Sequence, residues 1–353
     1  MDCCENLTPE FTGEPENSGD KKIIGRRSAL KRLAGMAGIL FVSKKNAYGQ
    51  GRQVLLAFCG QLLCVIPYEV TRARGHFADE GLDVRLVYTR GGNIAMQALV
   101  GGSVDYAGTS FDVALQAFAH GAKIARFMST GRLPLFALAS APKMAKEIRT
   151  LKDLENRTVG VSGLGNGDHI LVLYLMTREG ANPNRVRFAT MGTNLLDALR
   201  LGQVDAGMVQ EPALTLITSA GGGVIANVMD IEQANRYLGG AYEFMGVAVR
   251  VGERERRRDE MAGLARALAK GLRDTRTIPV KDAVAALPKE LITGGNRERL
   301  ATILERYRRS LYPDNVKIDL AATNRVADAH KAAGLLAPSI DYKPLLDLSV
   351  VGS

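Results

Sequence analysis

The feature that most constrains this chain is that its middle repeats itself. Gly92, Ala98, Leu99, Gly102, Val104 and Asp105 recur as Gly192, Ala198, Leu199, Gly202, Val204 and Asp205, at a constant offset of 100. Self-similarity at a fixed offset means one structural unit built twice. The surrounding pattern repeats as well. Val54-Leu55-Leu56-Ala57 is a short apolar run ending in Cys59-Gly60, and Thr158-Val159-Gly160-Val161 ends in Ser162-Gly163. Each run leads to a helical stretch closed by glycine, at 65–75 and 169–180, and then to a second strand, at 83–89 and 185–190. A loop and a second helix follow. Met96, Leu99 and Val100 make one apolar stripe stopped at Gly101-Gly102, and Leu195, Leu196 and Leu199 make another stopped at Gly202. Third strands are expected at 104–108 and 204–209. Strand–helix–strand–helix–strand twice over predicts two α/β lobes, since parallel strands need helical crossovers. Ligands of open α/β sheets sit beyond the carboxyl ends of the strands, so two facing lobes would surround one cleft with loops.

The connections between the lobes are also legible. The apolar segment 133–138 is expected to leave the first lobe, and 243–249 to return to it, which makes a hinge of two crossing segments. The expected divisions are an N-terminal segment at 1–49, a first lobe at 50–138, a second lobe at 139–243, and a return strand with C-terminal helices at 244–353. Met261, Leu264, Leu268 and Leu272 form one helical stripe, Ile303, Tyr307 and Leu311 a second, and Val326, Ala329 and Ala333 a third. These helices are expected to pad the first lobe. Asp105 and Asp205 occupy equivalent turns, which predicts a structural role for both.

Composition narrows the functional classes. At 353 residues, 46% hydrophobic and 24% charged, the chain can bury a large core without disulfides or metals. It has no Trp and only 6% aromatic residues, which disfavours a sugar-stacking platform. Four His and four Cys are scattered without metal-ligand spacing, so no metal site is expected. The net charge of +9 is spread along the chain. Its one cluster, Arg254, Arg256, Arg257 and Arg258, is interleaved with Glu253, Glu255, Asp259 and Glu260 and predicts a solvated helix start. Nucleic acid is not the expected partner.

The N-terminus looks like an address. Gly25-Arg26-Arg27-Ser28-Ala29-Leu30-Lys31 precedes an apolar run from Leu33 to Val42, too short for a bilayer, then Ala47 and Gly49. A basic segment, a short apolar segment and small residues describe a cleavable export signal. The double arginine resembles a twin-arginine signal, with Ala29 where that pattern favours Phe.

Taken in order, these segments resemble a known family. An export signal is followed by Pro67-Tyr68, by Gly75-His76-Phe77 before Glu80-Gly81-Leu82-Asp83-Val84, and by a Gly-x-Val-Asp turn. The second half then has Val204-Asp205-Ala206 and Glu211-Pro212. Over roughly 52–250 the chain is similar to periplasmic substrate-binding proteins of ABC importers, in the nitrate/sulfonate/taurine and thiamine-pyrimidine-precursor group. The resemblance implies a two-lobe, type II periplasmic-binding-protein-like α/β fold with a hinge, closing on a small anionic or heteroaromatic molecule. It implies a periplasmic protein without catalytic residues or cofactor, working with an ABC permease and ATPase in the inner membrane. An alternative on the same scaffold is an enzyme like the pyrimidine-precursor synthases, which needs a cofactor lysine and cleft histidines. His169 is well placed for that, and Lys143 is its lysine candidate.

Candidate ligand-binding residues follow from the strand-end loops. Ser162-Gly163-Leu164-Gly165-Asn166-Gly167-Asp168-His169 is the strongest local signal, since glycines let backbone N–H groups face an anion at a helix N-terminus. The loop lacks the Lys-Ser/Thr of a phosphate-binding loop, and Ser162 lacks the flanking glycines of a hydrolase elbow. Ser162, Gly163, Gly165, Asn166, Gly167 and His169 are taken from it as candidates. The first lobe supplies Gln61, Tyr68, Arg90, Gly92, Asn93, Thr109 and Ser110, and the second adds Gln210 and Glu211. Several have equally ordinary alternatives: Tyr68 as core, Thr109 and Ser110 as helix caps, Glu211 as a helix-start acid. A sulfonate or nitrate would call for hydroxyls, Arg90 and helix N-termini. A pyrimidine would call for Glu211 with Tyr68 or Tyr242. Cys59 and Cys64 could be a short-loop disulfide or two buried thiols.

Overall fold

Two five-stranded sheets of the same order, each holding one strand that runs against the rest, organise the molecule. The computed structural model describes residues 53–60, 62–292 and 296–351. The expected export signal and Gln61 lie outside the described residues. The first run of elements is β1 (Val54–Cys59), α1 (Leu62–Ala73), α2 (His76–Asp79), β2 (Val84–Thr89), α3 (Gly92–Val100), β3 (Tyr106–Ser110), α4 (Phe111–Ala119) and β4 (Ile124–Ser129). The second run is β5 (Ala137–Ser140), β6 (Thr158–Val161), α5 (Gly167–Arg178), β7 (Arg187–Thr190), α6 (Leu195–Leu201), β8 (Ala206–Val209), α7 (Ala213–Ser219), β9 (Val224–Asn227) and α8 (Ile231–Leu238). The chain then forms β10 (Met245–Arg250), α9 (Arg258–Thr277), α10 (Val280–Ala285), α11 (Arg297–Leu311) and α12 (Leu320–Ala332).

The sheets are β2-β1-β3-β10-β4 and β7-β6-β8-β5-β9. β1 pairs in parallel with β2 and β3, as β6 does with β7 and β8. The exception in each sheet is the strand next to a crossing: β10 is antiparallel to β3 and β4, and β5 to β8 and β9. The chain therefore crosses between sheets twice, after β4 and before β10. Ala137 and Leu138, assigned to the first lobe from the sequence, pair in the second sheet as part of β5.

The repeated residues prove to be repeated contacts. Asp105 Oδ2 accepts the Leu55 N–H at 2.8 Å, and Asp205 Oδ2 accepts the Thr158 N–H at 2.9 Å, each tying a turn to the first strand of its sheet. Gly102 and Gly202 close their helices at φ of +80° and +68°, a region that favours glycine. Leu99, Leu199, Val104 and Val204 are buried.

The C-terminal helices divide their packing. Met261, Leu264, Leu268 and Leu272 of α9 are buried, and α9 packs on α1 and α2. There Gly271 lies so close to Thr71 that no side chain would fit. α12 does not simply pad the first lobe: it packs on both α4 and α5, one from each lobe. The arginine cluster also departs from expectation. Arg254, Arg256 and Arg258 pair with nearby acids, but Arg257 is buried, bonding Asp105 at 2.5 Å and Glu253 and Glu260 at 2.6 Å each. The tertiary fold brings Asp105 to it, which local charge patterning cannot show.

A buried ion pair sits where the chain returns to the first sheet. Arg126 of β4 donates to the Thr109 carbonyl at 3.0 Å, to the Phe244 carbonyl at 2.7 Å and to Glu243 Oε1 at 3.0 Å. Gly246 of β10 leaves room for it; a Cβ there would collide with the guanidinium and the Met128 carbonyl. Burial pushes the Glu243 carboxyl up to about 7, against the opposing pull of Arg126. Removing one partner of such a pair strands the other charge. Arg126→Met should therefore lower the unfolding free energy by about 3–5 kcal/mol in a urea titration at neutral pH. Arg126→Met/Glu243→Met should recover part of that loss, and a single variant as stable as wild type would show that the pair ties nothing together.

Candidate functional site

The loops at the carboxyl ends of the parallel strands meet. Gln116 Nε2 of α4 donates to the Gly165 carbonyl at 2.8 Å, and Asn93 Nδ2 at the start of α3 donates to Asn166 Oδ1 at 3.2 Å. Both bonds join the first lobe to the loop after β6. Gly167, the first residue of α5, lies against Asp112, where a Cβ would stand 3.5 Å from the carboxyl carbon. Gly92, the first residue of α3, stands in the same way against Thr109 and Val113. The first turns of α3, α4 and α5 thus converge, and their N-terminal dipole ends with them.

The glycine-rich loop is built differently from the open anion cradle that its sequence suggests. The Ser162 N–H donates to Asp168 Oδ2 at 2.5 Å and the Ser162 hydroxyl to Oδ1 at 2.8 Å. The Gly165 N–H donates to His169 Nδ1 at 3.1 Å, and the Asn166 N–H to the Gly163 carbonyl at 3.2 Å. Asn166 Nδ2 also donates to Ser162 Oγ at 3.0 Å. These three backbone donors are engaged inside the loop, which offers the Gly165 carbonyl and the Asn166 amide to the other lobe. Burial raises the Asp168 carboxyl pKa, partly offset by the Ser162 bonds, and burial lowers that of His169. The His169 ring also stands edge-on to Phe188.

The remaining sequence candidates are distributed around this seam. Arg90 is exposed, and Ser110 Oγ accepts the Val113 N–H at 3.4 Å as the cap of α4. Tyr68 is fully buried, stacked on Phe58, with its hydroxyl 3.0 Å from Thr130 Oγ1. Gln210 is half-buried at the end of β8. Glu211 is buried, and its Oε2 accepts from the Thr215 N–H and hydroxyl at 3.1 and 2.8 Å. Lys143 Nζ donates to the Gly202 carbonyl, beyond the end of α6. Cys59 and Cys64 are buried thiols in hydrogen-bonding contact, and that contact with burial holds the Cys64 thiol well above its usual pKa.

The sequence reading passed over the most unusual residue of the seam. Asp112 is 2% exposed in the first turn of α4, an acid among Phe111, Ala114 and Leu115. Its Oδ1 accepts from the Tyr242 hydroxyl at 3.1 Å and lies 4.0 Å from His330 Nε2 of α12. Its Oδ2 has no hydrogen-bond partner among the described residues; nor do Thr109 Oγ1, His330 Nε2 and Arg126 Nε. Burial raises the Asp112 carboxyl pKa, partly offset by His330, Tyr242 and Arg126. The one signal in the sequence was a carboxylate on the apolar face of a short helix. Its partners come from residues 130 and 218 positions away. Among the described residues no cluster of His, Cys, Asp and Glu could hold a metal ion, and no helix is long and apolar enough to cross a membrane.

The family model described as NMT1/THI5 like matches residues 64–281, more than half of the chain. The chain belongs to the NMT1/THI5-like family. A search of curated protein sequences finds none that matches. Several solved structures share the fold of this NMT1/THI5-like protein at low identity. The periplasmic aliphatic sulphonate binding protein SsuA from Escherichia coli is 18% identical, with 83% of this chain and 91% of that chain covered at a TM-score of 0.65. The ligand-binding component of an ABC-type import system from Staphylococcus aureus, with zinc bound, is 14% identical, covering 85% and 98% at 0.67. The periplasmic nitrate-binding protein NrtA from Synechocystis PCC 6803 is 12% identical, covering 82% and 83% at 0.62. The likeness establishes the two-lobe periplasmic-binding-protein fold.

The loop geometry of this family member yields a test. Gly165 has φ of +78°, and a Cβ on it would meet nothing within 4 Å, so a side chain there strains the backbone without a clash. Gly165→Ala should lower the unfolding free energy by about 1–2 kcal/mol. Urea unfolding of the two proteins measures this, and equal midpoints would mean that the loop relaxes to another conformation.

Proposed function

We propose that this protein is the solute-binding component of an ABC-type importer, which captures a small molecule between its lobes by hinge closure and is not an enzyme. The observation that carries the reading is the seam itself. Two sheets of one order are joined by two crossings, and their strand-end loops face each other across two hydrogen bonds, Gln116 to Gly165 and Asn93 to Asn166. Such an arrangement can open about the crossings and close on a solute, and a solute that contacts both lobes favours the closed state. A permease and ATPase in the inner membrane would then read the closed form. The candidate contacts are Thr109, Ser110, Gly92, Asn93, Arg90, Ser162, Gly163, Gly165, Asn166, Gly167, His169, Gln210 and Glu211. Tyr68 stacks on Phe58 of β1, and Gln61, outside the described residues, remains a candidate from the sequence. The sulphonate- and nitrate-binding neighbours support an anionic solute and a periplasmic address.

X-ray scattering tests closure. A solute that raises the melting temperature should reduce the radius of gyration, and Asn93→Ala/Gln116→Ala should enlarge it in the solute-free protein. A saturating solute that leaves the scattering curve unchanged would count against hinge closure and favour a rigid pocket.

Export is tested separately. Replacing Arg26 and Arg27 by Lys should hold the precursor in the cytoplasm, as judged by fractionation. Unchanged delivery to the periplasm would remove the twin-arginine route while leaving export itself.

A further inference from the structure

Two thiols meet at the carboxyl end of the first strand. Cys59 is the last residue of β1, and Cys64 stands five positions on, in the first turn of α1. They are 6% and 4% exposed, and Cys64 has Cys59 as its hydrogen-bonding neighbour. The backbone on each side is held in place. The Gly60 N–H donates to the Thr89 carbonyl at 2.9 Å, and the Leu63 carbonyl accepts the Tyr312 hydroxyl at 2.8 Å. Sulfurs already in contact on such a frame need little movement to bond, whereas two thiols that merely fill a core have no reason to touch. A metal is a poorer explanation of the contact, since among the described residues no group of three His, Cys, Asp or Glu could hold one. The contact and burial also keep Cys64 protonated, so the pair reacts slowly and only with an oxidant that reaches it.

We propose that Cys59 and Cys64 are a reversible dithiol–disulfide couple, whose oxidised form pins the end of β1 to the first turn of α1. The oxidant is a disulfide, and the step is two successive exchanges. One cysteine, as thiolate, attacks the oxidant and releases a first thiol, which takes up the proton that the cysteine gave up. The other cysteine attacks the mixed disulfide, closes the Cys59–Cys64 bond and releases the second thiol with the second proton. The pair thus loses two electrons and two protons, and the oxidant gains them. The ring is short, so it removes little entropy from the unfolded chain and the fold does not rest on it. Its effect is local and reaches toward the seam. Thr89, the register partner of Cys59, donates its hydroxyl to the Phe58 and Gly91 carbonyls at 3.2 and 2.8 Å. Gly91 caps α3, which carries Asn93 to its bond with Asn166. The couple is independent of which solute the protein binds, and in an oxidising compartment the disulfide is the resident form.

Peptide mapping tests this on the full chain. The protein is brought to equilibrium with oxidised and reduced glutathione at neutral pH, both from the native state and by refolding from urea; free thiols are then blocked and trypsin is added. Cleavage after Arg52 and Arg72 puts both cysteines in one peptide, 53–72, apart from Cys3 and Cys4. That peptide should escape blocking, weigh two hydrogens less than its reduced form, and return to the dithiol with dithiothreitol. Against the same glutathione ratio the bond should form about tenfold or more favourably in the folded protein than in urea, because folding already holds the sulfurs together. The oxidised protein should accordingly melt at a higher temperature than the reduced one, and Cys59→Ala and Cys64→Ala should each remove that difference. The mapping uses wild-type protein, so it stands even if a variant fails to fold. A glutathione adduct on one cysteine, two thiols still blocked after refolding, or a bond no more favourable in the folded protein than in urea would each overturn the inference.

Discussion

The exchange of one strand between two sheets is the constraint on which the rest of the structure depends. β5 completes the second sheet directly after the chain leaves the first, and β10 completes the first directly after it leaves the second. Each lobe is therefore finished by a segment that has passed through the other, and neither sheet is complete without both crossings. Arg126 secures the return. Its guanidinium passes the space left by Gly246 and holds Thr109 on β3 together with Glu243 and Phe244 on the returning segment. A buried charge held by three acceptors tolerates little displacement, because any lost contact leaves a desolvated donor.

Helix ends explain why the seam lies where it does. All the parallel strands of each sheet point the same way, so the helices that follow them begin on one side, and α3, α4 and α5 bring their first turns together. Such a place normally suits an anion. Here Asp112 occupies part of it, and the glycine-rich loop uses its own donors on Asp168 and His169. The field of the helices is thus answered largely by side chains of the protein. α12 adds His330 from a helix that touches both lobes, so the C-terminal region takes part in the seam as well as in packing.

The repeat at an offset of 100 was enough to place three strands and two helices in each half, because the repeated residues mark the same helix ends, turns and core positions in both. Asp105 and Asp205 each bond the first strand of their own sheet, Gly102 and Gly202 each end the preceding helix, and Leu99 and Leu199 each fill the core beneath. β4 and β9, outside the repeated identities, left no comparable mark. Arg257 was legible as a charge and not as a buried one, since its partner Asp105 lies 152 positions earlier. The loop after β6 was legible as a glycine-rich turn before a helix. Which of its N–H groups are free depends on where the Asp168 and His169 side chains turn.

Alone, the order of residues determined the duplicated α/β plan, the two apolar crossings and the buried stripe of α9, all of which follow from periodicity and spacing along the chain. Only the tertiary structure decided which charges are paired in the interior and which polar atoms are left without partners. Asp112, Tyr242 and His330 are distant in sequence, and nothing in the spacing of a carboxylate, a phenol and an imidazole announces that folding will bury them in one seam. Hydrophobic periodicity is written locally and survives in the sequence, whereas the compensation of a buried charge is a property of what the whole fold brings within a few ångströms of it.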